Sequence, residues 1–149
     1  ITFESPSSIT SIGNCTFHKC TSLKQITIPS FLTSIGKCTF AECSSLEKVL
    51  FEGSSSVASI GDCAFILCTS LVQISIPSSV TSIGDFAFSG CSSLTQVSIP
   101  SSVTSFGDDI FFLCSSLSQT QISSFPHLDN NIYGKHAYSI ALMTFILIT

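Results

Sequence analysis

Eight cysteines stand among the 149 residues, and their spacing is regular. Cys20, Cys43, Cys68, Cys91 and Cys114 form one series. Cys15, Cys38 and Cys63 form a second, which continues as Phe86 and Asp109. Thiols in register could pack as small apolar groups, pair as disulfides or hold a metal. Five members of one series cannot all pair among themselves. Cys-x₄-Cys without a matching histidine series lacks the usual tetrahedral ligand spacing. A position that accepts either Cys or Phe reads as a packing position. Buried thiols are therefore the favoured reading, with disulfides left open and no metal expected. Asp62, Asp85 and Asp108 recur in the same way, preceded by Asn14 and Lys37. Stacked carboxylates could hold calcium, but a role at the start of a short helix accounts for them without a cation.

No arrangement for nucleophilic or acid–base chemistry recurs. His18, His127 and His136 are scattered, and no serine sits in a Gly-x-Ser-x-Gly elbow. The sequence thus predicts neither an enzyme nor a cofactor. Asn14-Cys15-Thr16 fits a glycosylation sequon, which matters only in a eukaryotic secretory chain.

The elements that position these residues follow from the repeat itself. Glycine recurs at Gly13, Gly36, Gly61, Gly84 and Gly107, in steps of 23, 25, 23 and 23 residues. Phe17, Phe40, Phe65, Phe88 and Phe111 follow four residues later each time. Leu23, Leu46, Leu71, Leu94 and Leu117 close each copy. Repeats of this length cannot bury an apolar face alone, so they stack into a solenoid.

One copy, residues 71–94, shows the unit. Ile74 and Ile76 alternate with Gln73 and Ser75, the period of a short strand with one buried face. Pro77 ends the strand and Ser78-Ser79 turns the chain. Val80 and Ile83 point back inside. Gly84 marks a conformation or contact that a Cβ would resist. Asp85 then opens a short helical or 3₁₀ segment carrying Ala87, Phe88 and Cys91 on one face. The fold class expected is an α/β repeat solenoid, with one short parallel strand and one short helical segment per unit of ~23 residues. The step of 25 residues holds two extra residues around Phe51-Glu52-Gly53, read as a bulge within a continuous array.

Composition narrows the function. Charged residues make up 9% of the chain, against roughly 25% in ordinary soluble proteins. The surface polarity must come from Ser, Thr, Asn and Gln. With 5 Lys and Arg and a net charge of −4, no basic stripe awaits a nucleic acid backbone. The chain opens inside a repeat and reads as a piece of a longer protein. Residues 1–122 are assigned to the array. Residues 123–149 form an irregular tail ending in thirteen uncharged, mostly apolar residues from Ala137. That stretch could cap the array, begin a truncated membrane anchor, since a span needs about 20 residues, or be sequence foreign to the repeat.

The outward strand face is the candidate binding surface. Gln25, Lys48, Gln73, Gln96 and Gln119 share one outward column, flanked by Glu47, Ser75 and Ser98. Such a strip suits protein or glycan contact through many hydrogen bonds of about 1 kcal/mol each. Polar outward residues are also what any half-buried sheet requires.

The pattern Leu-x-x-Ile-x-Ile-Pro-x-x-Val-x-x-Ile-Gly-x-x-Ala-Phe-x-x-Cys-x-x-Leu, clearest over residues 71–94, resembles the BspA-like class of leucine-rich repeats. The resemblance implies a right-handed leucine-rich-repeat superhelix. It also implies a secreted or cell-surface module that adheres to host or neighbouring-cell molecules. An intracellular interaction scaffold or a passive stalk are the alternatives. The copies depart from the pattern in places. Thr16, Thr39 and Ile110 replace Ala, and the fifth copy carries Thr120 for Ile and Ser123 for Pro.

Overall fold

The computed structural model describes residues 8–118. The chain winds as a repeat solenoid whose coils carry two short strands each. β1 (Ser11–Ile12), β3 (Ser34–Ile35), β5 (Ser59–Ile60), β7 (Ser82–Ile83) and β9 (Ser105–Phe106) form a five-stranded parallel sheet in that order. β2 (Gln25–Ile28), β4 (Lys48–Phe51), β6 (Gln73–Ser75) and β8 (Gln96–Ser98) form a four-stranded parallel sheet. Like residues lie over like residues: Ile35 pairs with Ile60, Ile60 with Ile83, and Gln73 with Gln96.

The alternation expected of the strands is present. In β2, Ile26 and Ile28 are buried while Gln25 is exposed. The core is a set of axial columns. Phe40, Phe65 and Phe88 are fully enclosed, as are Leu46, Leu71 and Leu94. The phenyl rings run as one stack from Phe17 to Phe111, with centroids 5.2 to 5.8 Å apart and planes within 15° of parallel. Ring spacing is close to strand spacing, which is about 4.8 Å, so the stack follows directly from the coil repeat.

The segment expected to be helical is not helical. Among the described residues there is no helix. Gly13 to Leu23 and its counterparts form successive turns. Cys20 N–H donates to Phe17 C=O and Leu23 N–H to Cys20 C=O (3.1 and 3.0 Å). Alternate amides instead point along the solenoid axis. Cys15 N–H donates to Lys37 C=O, Phe17 to Thr39 and Lys19 to Ala41, all at 2.8–2.9 Å. Left-handed residues make this possible. Cys15, Cys38, Cys63, Phe86 and Asp109 have φ of 53–56°, and Lys19, Glu42, Leu67 and Leu113 have φ of 58–60°. Among the described residues, only Gly90 (φ 72°) is a glycine at such a position. The axial bonds replace the i→i−4 bonds a helix would have made.

The repeated glycine has a different task from conformational freedom. A Cβ on Gly84 would sit 2.6 Å from the Asp62 amide nitrogen and 2.8 Å from the Gly61 carbonyl carbon. Glycine is needed because two coils touch there through their backbones. The Asn/Asp column is likewise not a helix cap. Asn14 Oδ1 accepts from Lys37 N–H (2.8 Å), Asp62 Oδ1 from Asp85 N–H (3.2 Å) and Asp85 Oδ1 from Asp108 N–H (2.8 Å). Each side chain satisfies an amide on the next coil. Hydroxyls do the complementary job for carbonyls: Ser79 donates to Val57 C=O (2.7 Å) and Ser102 to Val80 C=O (2.8 Å). Much of the Ser and Thr content therefore ties coil to coil as well as wetting the surface.

Candidate functional site: the four-stranded face

Seven of the eight residues singled out from sequence lie on one surface. Gln25 is in register with Lys48, Lys48 with Gln73, and Gln73 with Gln96. All four are exposed, as are Glu47, Ser75 and Ser98 beside them. Gln119 lies outside the described residues. The row is polar but not uniformly so: Leu50 (45% exposed) and Val72 (47%) interrupt it.

The face is not flat. β2 and β4 pair over four residues, from Gln25↔Lys48 to Ile28↔Phe51. β6 and β8 pair over three. Between β4 and β6 the ladder holds only Lys48↔Gln73. The two extra residues cause this split. Phe51 stays on β4, Glu52 N–H donates to Ile28 C=O (3.1 Å), and Glu52 Oε2 accepts from Ser30 N–H (2.8 Å). The insertion is thus anchored to the coil before it and parts from the coil after it. The bulge expected from the 25-residue step is therefore also a groove of about 380 Å³. Lys48, Leu50, Phe51, Gln73, Ser75 and Pro77 are among its walls.

This groove combines an ammonium, a carboxamide, a hydroxyl, strand backbone released from its ladder and apolar surface. Among the described residues, ion pairs involve Lys19 and Lys37 but not Lys48. The groove can therefore donate several hydrogen bonds and one positive charge while an apolar wall excludes water. Sequence reasoning placed Lys48, Gln73 and Ser75 on the face. It missed Leu50 and Phe51 as walls, although the length of the insertion was the available signal.

The cysteines divide by column. All eight are free. Cys43, Cys68, Cys91 and Cys114 are buried, and each thiol donates to the carbonyl of a phenylalanine one coil back: Phe17, Phe40, Phe65 and Phe88, at 3.0–3.2 Å. Burial raises these thiols, Cys43 to about 11 and Cys114 to about 12, and lifts Cys68 and Cys91 well above the ordinary thiol value too. The second column is different from the packing position expected. Cys15 is exposed, Cys38 and Cys63 are half-buried, and Phe86 is exposed. The left-handed backbone turns these side chains outward from the core that the Phe column fills. Among the described residues no set of His, Cys, Asp or Glu is arranged to hold a metal. No helix among them is long and apolar enough to cross a membrane.

Comparison with known proteins agrees with this geometry. Residues 1–118 and 51–145 match the family described as BspA type Leucine rich repeat region (6 copies). A leucine-rich repeat protein of Bacteroides capillosus is 33% identical over 62% of this chain and 64% of its own, with a TM-score of 0.54. One from Bacteroides ovatus is 31% identical over 85% of this chain and 39% of its own, with a TM-score of 0.55. The pneumococcal vaccine antigen PcpA is 27% identical over 60% of this chain and 28% of its own, with a TM-score of 0.52. The chain thus spans less than two thirds of each of these relatives. No curated protein matches it. The 23-residue period, the Phe, Cys and Leu columns and the paired parallel sheets together mark the chain as a member of the BspA-type leucine-rich-repeat family.

Proposed function

We propose that this chain is a non-catalytic recognition module that contacts a protein or glycan through its four-stranded face, outside the cell or at its surface. The observation that carries the reading is the groove between β4 and β6, where Lys48, Gln73 and Ser75 meet the apolar walls of Leu50 and Phe51. A solvated sheet needs polar side chains but has no need of a split ladder. Leucine-rich repeats are typically interaction modules, and one solved relative is a vaccine antigen. Both support an exposed, partner-facing role, on a host or a neighbouring cell.

The test is binding of the folded chain to cell surfaces, immobilised proteins and glycans, compared with Gln73→Lys/Gln96→Lys. Those substitutions crowd three lysines along one column with Lys48. They should reduce binding at least tenfold while leaving the unfolding midpoint nearly unchanged. Undiminished binding of the double variant to every partner would remove the strand face from the mechanism.

A further inference from the structure

Cys15, Cys38 and Cys63 occupy the same place on three consecutive coils. Cys15 N–H bonds to Lys37 C=O and Cys38 N–H to Asp62 C=O, at 2.9 and 2.8 Å, so the three backbones are in register. Their φ angles are 56°, 53° and 54°, so the three Cα–Cβ bonds are close to parallel. Cys38 stands between the other two, one coil from each. Unlike the Cys43–Cys114 column, this one reaches solvent.

From this arrangement we propose that the Cys15–Cys38–Cys63 ladder is an oxidation site, at which a low-molecular-weight disulfide converts two adjacent thiols into one bridge between neighbouring coils. Geometry makes Cys38 the obligatory partner. Adjacent coils lie about 4.8 Å apart, inside the roughly 4.4–6.8 Å Cα window of a disulfide, whereas Cys15 and Cys63 are about twice that distance apart. Parallel Cβ atoms must close by roughly 0.3–1 Å to bridge. A column at the surface can accommodate such a shift more readily than one locked against the Phe stack.

The chemistry balances as thiol–disulfide exchange. The exposed Cys15, as thiolate, attacks one sulfur of the small disulfide and expels one small thiolate. The Cys38 thiolate then attacks the Cys15 sulfur of the mixed disulfide and expels the second. Two protein thiols lose two protons and two electrons; the small disulfide gains them and leaves as two thiols. The same exchange, begun by attack of Cys63, yields Cys38–Cys63. The buried column is protected because its thiols point at carbonyls inside the core.

The experiment treats the folded full chain with oxidised glutathione, denatures it without reductant, alkylates it and maps the peptides. One bridge should form, linking Cys38 to Cys15 or Cys63, with Cys43, Cys68, Cys91 and Cys114 all alkylated. Cys15→Ser and Cys63→Ser should each still form one bridge. Cys38→Ser should form none and should retain a glutathione adduct. Should Cys38→Ser fail to fold, the Cys15→Ser/Cys63→Ser double variant must form no bridge. Persistence of all eight thiols, a bridge in either bridge-deficient variant, or one that includes Cys20 or the buried column would overturn the proposal.

Discussion

The Asp108 amide donates to the Asp85 carboxylate of the preceding coil at 2.8 Å, and the Asp85 amide donates in turn to Asp62 at 3.2 Å. Asp62 and Asp85 therefore each satisfy a backbone donor while standing one coil from a like charge. The hydrogen bond stabilises and the stacked charges oppose. Asp85→Asn keeps the acceptor and deletes the charge, as Asn14 already does beneath Lys37. Its unfolding midpoint should equal or exceed that of the parent at low salt. Asp85→Ala removes the acceptor and should lose about 0.5–1.5 kcal/mol. Urea titration of the two variants checks both signs; a loss in Asp85→Asn as large as that in Asp85→Ala would mean that charge, not the hydrogen bond, matters at this column.

Glycine at the repeat junction is needed for closeness between coils. A Cβ at Gly84 would meet backbone atoms of Gly61 and Asp62, which cannot swing aside as a side chain could. Gly84→Ala should therefore cost about 1–3 kcal/mol through overpacking. Gly53, in the insertion, has open space around it. Gly53→Ala should be neutral or gain up to about 1 kcal/mol by restricting the unfolded chain. Chemical denaturation of the pair distinguishes contact from conformational freedom. Equal losses at both positions would refute the close-contact account.

What could be read from the residues differs between elements. The buried faces were legible because Ile26, Ile28, Ile74 and Ile76 alternate with polar residues, and a period of two has one structural meaning. The Phe and Leu columns were legible because repetition assigns the same environment to each copy. The Gly13–Leu23 segment was not. Its apolar spacing fits a helical face, and its i→i−3 turns are locally helix-like. What decides the outcome is the axial bonding of Cys15, Phe17 and Lys19 to the next coil, an interaction distant in sequence. The usual marker of a left-handed residue is glycine, yet here nearly all such positions carry side chains. On the candidate site, the outward column was plain from β-alternation, but the groove depends on which neighbour the insertion follows. The Glu52 bonds to Ser30 and Ile28 decide that, and they lie 22 and 24 residues away in the chain.

Side chains in left-handed backbone carry a local cost that glycine avoids, about 1–2 kcal/mol per residue. Lys19 has φ 59° and an exposed side chain whose ammonium lies 3.7 Å from Glu42. An exposed ion pair of this kind contributes roughly 0–1 kcal/mol. Lys19→Gly should therefore raise stability slightly, by no more than about 1 kcal/mol once the greater unfolded-state freedom of glycine and the lost ion pair are both counted. Differential scanning calorimetry reads this as a higher midpoint. A lower midpoint would show that the Lys19–Glu42 contact outweighs the backbone relief.

The buried thiols impose an alkaline limit on the array. Burial lifts Cys43 from the ordinary 9.0 to about 11 and Cys114 to about 12, and it also raises Cys68 and Cys91 well above 9.0. Unfolded thiols ionise near 9, so between that value and the folded values the native state holds more protons than the unfolded state. Stability from these groups is complete below pH 9 and declines as pH rises above it. Each buried thiol steepens the decline by up to about 1.4 kcal/mol per pH unit. The unfolding midpoint, followed from pH 7 to 11 with reductant present throughout, should fall increasingly above pH 9. The decisive comparison is Cys68→Ala/Cys91→Ala. That variant begins less stable, having lost two core side chains, but its midpoint should fall less steeply with pH. Parallel curves would show that the thiols of the Phe-facing column do not set the alkaline limit.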